Sequence, residues 1–221
     1  MIASLPRWER QYILNYHLSD KRMENNKFHI IVVDDTMGEK DPFVVELKLE
    51  YQKVAEVSYF QKVEEAMRFV DDHMSERIIL FMDCRFGSVW QGVDAIMQLR
   101  EKTSLVYVIT ISANNVNQLS NKDIMSLINT DNVFFIKNTD ITGAKEKVET
   151  IRMQWDSRFD CVLEQWLIRH QEDKDKIVYS QNRKAYSWGQ LLNEVRLQTE
   201  VGKDFARIMN QYCISKFKLE E

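Results

Sequence analysis

The chain has 221 residues, length enough for one sizeable domain and an additional module. Apolar residues make up 44% and charged residues 29%, the composition of a soluble globular protein, with no apolar stretch of membrane-spanning length. The net charge of -4, from 30 basic and 34 acidic side chains, gives no electrostatic reason to expect nucleic acid as the main partner. The three cysteines, Cys84, Cys161 and Cys213, are odd in number and scattered, which points to reduced thiols rather than a disulfide framework or a metal-ligand pair. With no signal peptide evident, a cytoplasmic protein is expected.

Residues 1–27 are charged and aromatic. Trp8, Tyr12 and Tyr16 recur every four residues, which predicts a short amphipathic helix, either packed on the flank of the main domain or used as a dimer contact. Phe28 to Asp35, FHIIVVDD, is an apolar strand ending in two acids. Pro42 suits the first turn of a helix running to about Tyr51. A second strand is predicted over Ala55–Phe60 and a helix over 61–73, with Val63, Ala66, Met67 and Val70 on one face. Ile78 to Met82 is a third apolar run, ending abruptly in Asp83. A helix follows over Val93–Lys102, then a strand over Val106–Ala113. A helix near 121–129 is expected to turn Ile124, Leu127 and Ile128 inward, and a fifth strand covers Val133–Asn138.

Strands alternating with helices predict a parallel sheet wound on both faces, and strands this apolar are those such sheets bury. The fold class is therefore α/β, a five-stranded doubly wound parallel sheet, over residues 28–155. Residues 156–221 form a mostly helical output or interaction region. The stripe Ala144, Val148, Ile151, Trp155, Phe159, Val162, Trp166 predicts one long helix from about Ile141 to His170. Its first half is expected to lie on the sheet. Its second half needs cover from either the terminal helices or a second copy, and a dimeric unit is the expected form. A hairpin is predicted around Gln181–Arg183. Ser187 with Gln190 is a capping-box signature opening a helix with Leu191, Leu192 and Val195 inside. Val201, Phe205, Ile208 and Tyr212 mark the last helix.

In a parallel sheet the carboxyl ends of the strands share one edge, where ligands bind. Here those ends carry Asp34 and Asp35, Asp83, Ser112 and Lys137. Carboxylates brought together raise one another's pKa, and a hard divalent cation relieves them. A lysine and a hydroxyl beside them complete the parts of a phosphoryl-transfer site with a carboxylate nucleophile. Taken singly, each residue has a plainer reading: an Asp-Asp turn, a strand-end serine, a surface lysine, a core phenylalanine. Their order and placement carry the reading. His17, His29, His73 and His170 show no ligand-like spacing and receive no role.

From Phe28 to about Trp155 the sequence resembles the receiver domain of bacterial two-component response regulators. The acidic pair of that family resembles Asp34-Asp35 in VVDD, and its phosphoacceptor resembles Asp83 in LFMDCRFG. Its switch hydroxyl resembles Ser112, followed by Ala113, and its lysine resembles Lys137 in FFIKN. The family's mobile aromatic falls on Phe134. The resemblance further implies Mg²⁺ held by Asp34, Asp35, Asp83 and the Arg85 carbonyl. It implies phosphorylation by a sensor histidine kinase or a phosphotransfer protein, and no substrate turnover. Asn138 stands where the family has proline, Gly87 stands where proline is common, and the loop glycine is displaced to Gly92, so Phe86–Gln91 holds an insertion that includes Trp90.

Two other functions fit the sequence less well. A phosphatase of the haloacid dehalogenase type needs a second Asp two residues after the nucleophile, where Asp34 is followed by Thr36, and a further acidic pair after the lysine, which is lacking. A DNA-binding transcriptional regulator needs a basic output module, and residues 156–221 hold 11 basic and 11 acidic side chains.

Overall fold

The computed structural model describes residues 27–112, 120–155 and 157–217, and for residues 122–124, 126 and 217 the backbone alone. The aromatic stripe of Trp8, Tyr12 and Tyr16, and Ala113 and Ile124, lie outside this description.

Five parallel strands are interleaved with helices: β1 (Phe28–Val33), α1 (Pro42–Tyr51), β2 (Ala55–Phe60), α2 (Val63–Asp72), β3 (Ile78–Asp83), α3 (Gln91–Lys102), β4 (Tyr107–Ser112), α4 (Asn121–Ile128), β5 (Val133–Lys137) and α5 (Ile141–Trp155). The strand order is β2-β1-β3-β4-β5, the flavodoxin-like doubly wound order. Because side chains alternate along a strand, each central strand feeds two cores. Ile30, Val32, Ile79, Phe81, Ile109 and Ile111 pack under α1 and α5. Ile31, Val33, Leu80, Met82 and Val108 pack under α2, α3 and α4. This two-sided burial explains why β3 reads as an unbroken apolar run and β1 and β4 as nearly so.

Helix starts follow local chemistry. Asp41 caps α1 by accepting from the Phe43 amide at 2.9 Å, and Pro42 opens the first turn. In α4 the expected inward set is only partly met: Leu127 is buried, but Ile128 is 66% exposed. The two are adjacent in a short helix and point about 100° apart.

The predicted single helix over 141–170 is instead two. The first, α5, ends at Trp155, and α6 (Phe159–Arg169) starts after a turn closed by Ser157 N to Gln154 O at 3.1 Å and Arg158 N to Trp155 O at 3.3 Å. The physical reason lies in what must be buried. Trp155 and Cys161 both enter the core under α1 and α5. On one straight helix, six residues at 100° each would aim them about 240° around the axis, on different faces. The break lets both face inward. It also changes the stripe: α6 buries Asp160, Cys161, Leu163 and Leu167, while Val162 is 50% exposed.

Beyond α6, a 3-10 turn (Gln171–Asp173) leads to the antiparallel hairpin β6 (Ile177–Gln181) and β7 (Lys184–Ser187). Asn182 and Arg183 both have positive φ, 53° and 65°, the backbone of a two-residue primed hairpin turn. Ser187 and Gln190 form the expected capping box on α7 (Trp188–Arg196). The last helix, α8 (Glu200–Phe217), buries Phe205, but Ile208, Tyr212 and Ile214 are exposed, so only its first half is covered. A third core joins α6, β7, α7 and α8 through Leu163, Leu167, Tyr186, Leu191, Val195 and Phe205.

Charged side chains join this third core to the sheet. Arg158 grips Asp160 with two nitrogens at 3.0 and 3.2 Å and donates to the Leu105 carbonyl at 2.9 Å. Arg196 lies 2.7 Å from Glu164 and 3.5 Å from Asp160, and Arg77 lies 3.2 Å from Glu164. These last contacts lack hydrogen-bond alignment and act as charge against charge. Arg196 also donates to the Ser75 carbonyl, and its own carbonyl accepts from Thr103 Oγ1 at 3.2 Å. Arg77 stacks its guanidinium over Trp155 at 5.5 Å.

Candidate functional site

The site sits where β1, β3, β4 and β5 end along one edge of the sheet. At Val33 β1 stops, and Asp34 and Asp35 enter the following loop. Asp34 is buried, and one carboxylate oxygen accepts from Thr36 N at 2.8 Å, Thr36 Oγ1 at 2.7 Å and Met37 N at 2.8 Å. Its backbone is held as well: its amide donates to Phe60 O at 3.2 Å, and the Tyr59 hydroxyl donates to its carbonyl at 2.8 Å. Asp35 is exposed and accepts from the Gly87 amide at 2.8 Å, which ties the loop after β1 to the loop after β3.

Asp83 is the last residue of β3 and is half-buried. Donor oxygens of Asp34, Asp35 and Asp83 lie within 4.8 Å of one another. Burial pushes the Asp83 carboxyl up to about 6, and the nearby Asp34 charge adds to this. The backbone amides of Arg85 and Cys84 oppose the shift, and Asp35 contributes a smaller push in the same direction as Asp34. Repulsion among facing carboxylates is what a cation would relieve. An all-oxygen donor set suits a hard divalent ion such as Mg²⁺, so the residues fit the expected metal.

The loop after Asp83 is tighter than the sequence implied. Phe86 and Val89 exchange backbone bonds at 3.0 and 3.1 Å across Gly87 and Ser88, and Gly87 takes φ 57°. Arg85 donates from Nε to Gly87 O at 3.0 Å and lies over the Trp90 ring at 6.0 Å. The expected insertion thus folds into a small hairpin beside the acids. Gly92 has a sharper reason to be glycine. A Cβ there would sit 1.8 Å from the Asp83 carbonyl oxygen, so α3 starts directly against the end of β3.

Ile111 pairs with Asp83 in the sheet register, and Ser112 pairs with Lys137. Ser112 is half-buried and Lys137 is exposed. Phe134 is partly buried, stacked on Tyr107 with ring centres 6.4 Å apart, with the Lys147 ammonium 5.3 Å from its ring. Its carbonyl accepts from Thr110 Oγ1 at 2.9 Å.

The structure brings the three acids together and sets Ser112 and Lys137 on the neighbouring strand ends. The sequence reading missed the supports: Thr36, Tyr59 and the Gly87 amide. Only Thr36 left a signal, since a hydroxyl two residues after an aspartate is a common local turn.

No protein-family model matches the sequence, and no curated protein matches it. Solved structures do match. One is the N-terminal domain of the nisin resistance regulator NsrR, a lantibiotic response regulator, at 19% identity and TM-score 0.43, covering 57% of this chain and 98% of that one. A probable two-component system response regulator/GGDEF domain protein matches at 16% identity and TM-score 0.45, covering 68% of this chain and 59% of that one. A two component transcriptional regulator AraC from Clostridium phytofermentans ISDg matches at 15% identity and TM-score 0.41, covering 60% of this chain and 100% of that one.

Proposed function

We propose that the protein is a two-component response regulator that accepts a phosphoryl group on Asp83 and passes the change to residues 156–221. The observation that carries this reading is the convergence of Asp34, Asp35 and Asp83 at one sheet edge, with Ser112 and Lys137 on adjoining strand ends.

The donor is a phosphohistidine on a sensor kinase or phosphotransfer protein. An Asp83 carboxylate oxygen attacks phosphorus, the P–N bond breaks, its electron pair returns to the imidazole, and an acyl phosphate remains. Asp83, at the end of β3, supplies the attacking carboxylate. Asp34 and Asp35, with the Arg85 carbonyl, would hold Mg²⁺ together with Asp83. When bound, the ion offsets charge on the transferred group. Lys137 offers its ammonium to a phosphoryl oxygen, and Ser112 its hydroxyl. Movement of Ser112 toward the phosphoryl group would loosen the packing of Phe134 on Tyr107. That shifts the face formed by β4, β5 and their helices. The protein turns over no substrate in this scheme.

Residues 156–221 act as a protein-interaction module in this reading. Their charge is balanced, they share a core of their own, and Arg158, Glu164 and Arg196 tie them to Leu105, Arg77 and Ser75 of the sheet domain. A haloacid-dehalogenase phosphatase finds no support at the site: Thr36 occupies the position its second aspartate would need and is bound to Asp34. Incubation with Mg²⁺ and labelled acetyl phosphate should add one phosphoryl group per chain. Label retained by Asp83→Asn would remove Asp83 from this role.

A further inference from the structure

A second cluster of metal-ligating groups lies at the opposite edge of the sheet, where the strands begin. His29 is the second residue of β1, His73 closes the C-terminus of α2, and Glu76 sits in the turn before β3. A donor atom from each lies within 4.8 Å of the others. We propose that His29, His73 and Glu76 bind a divalent transition-metal ion of the zinc class, separate from the site at Asp83.

The tautomer of His73 favours it. His73 Nδ1 lies 2.8 Å from the Phe69 carbonyl. A carbonyl only accepts, so Nδ1 carries the proton and Nε2 carries the lone pair. A backbone carbonyl on the far nitrogen is also how proteins orient metal-binding histidines. Stacking on Phe69, with centroids 4.1 Å apart and 15° between planes, fixes the ring further. His29 faces Glu76 through Nε2 at 2.6 Å, so in the metal-free protein Nε2 donates to the carboxylate, and a metal ion would take the place of that proton between the two; Nδ1 is buried with no hydrogen-bond partner. The His29 side chain is 9% exposed, so a buried polar ring is aimed at an exposed carboxylate.

The geometry is within reach. Tetrahedral ligands at zinc distances stand about 3.3 Å apart, so the His29–Glu76 contact needs to open by only about 0.7 Å. Two imidazoles and one carboxylate, with water in the fourth place, suit Zn²⁺ or Co²⁺ rather than Mg²⁺. The three ligands come from β1, α2 and the following turn, so the ion would clamp these elements. Glu76 lies between Ser75, whose carbonyl holds Arg196, and Arg77, which meets Glu164. The ion would therefore brace the strip on which the C-terminal region docks.

Zinc titration by calorimetry and Co²⁺ absorption test this on full-length Asp83→Asn, Cys213→Ser protein, where neither the acid site nor the exposed thiol competes. One equivalent of Zn²⁺ should bind, Co²⁺ should give intense tetrahedral bands, and excess Mg²⁺ should displace neither. His73→Ala and, separately, Glu76→Gln should each weaken binding at least tenfold with the far-UV circular dichroism unchanged. Zn²⁺ affinity unaltered by both substitutions, or no binding in the parent, overturns the proposal.

Discussion

Asp83→Asn should make the metal-free protein more stable at neutral pH. The substitution keeps the shape and the acceptor oxygen facing the Arg85 and Cys84 amides, and it removes one of three facing negative charges. Raising a carboxyl from its ordinary 3.8 to about 6 corresponds to about 3 kcal/mol. Asp83 is only half-buried, and solvent screening reduces this to about 1–2 kcal/mol. The sign follows from linkage. The folded value lies above the unfolded one, so the folded state loses stability as pH rises from about 3.8 through about 6 and has lost it all above that. The gap between variant and wild type should be full near pH 7.5, shrink through pH 5, and vanish near pH 3.5. Urea unfolding in EDTA at the three pH values measures it. Mg²⁺ should narrow the gap by stabilising folded wild type. Equal stability at pH 7.5, or a less stable variant, would refute the picture of an uncompensated acidic cluster.

Two further substitutions test the frame around the site. Arg196→Ala leaves Asp160 and Glu164 with less compensation in a buried setting, and should destabilise the C-terminal region by about 3–5 kcal/mol. Limited proteolysis should then cut that region first, and unchanged resistance would show the ion pairs to be dispensable. Gly92→Ala forces a methyl against the Asp83 carbonyl and should cost about 1–3 kcal/mol in urea unfolding while lowering the yield of phosphorylation by acetyl phosphate.

Much of the sheet was legible because strands buried on both faces are almost wholly apolar, His29 in β1 and Thr110 in β4 being the buried polar exceptions. The runs before Asp34, Asp83 and Ser112 therefore stop where the edge meets solvent. The acids, Ser112 and Lys137 were readable for the same reason, since parallel strands bring their ends to one side. The break after Trp155 was not read, because the apolar spacing continues through it. What breaks the helix is the need to turn both Trp155 and Cys161 into one core, a tertiary demand that periodicity does not encode. Asp156 and Ser157, both turn formers, were the local hint. Exposure of Ile128, Ile208 and Tyr212 was likewise hidden, because pattern alone does not say where a helix outruns its support. His29 and His73 are 44 residues apart, a spacing that gave them no role in the sequence. The fold joins them because β1 starts beside the end of α2.

The central claim is that Asp83 itself becomes an acyl phosphate. Borohydride reduces such a bond and converts the aspartate to homoserine, which marks the residue permanently. After treatment with acetyl phosphate and Mg²⁺, then borohydride, peptide mass spectrometry should find homoserine at position 83 and aspartate unchanged at positions 34 and 35. Homoserine at either of those positions, or at none of the three, would contradict the account.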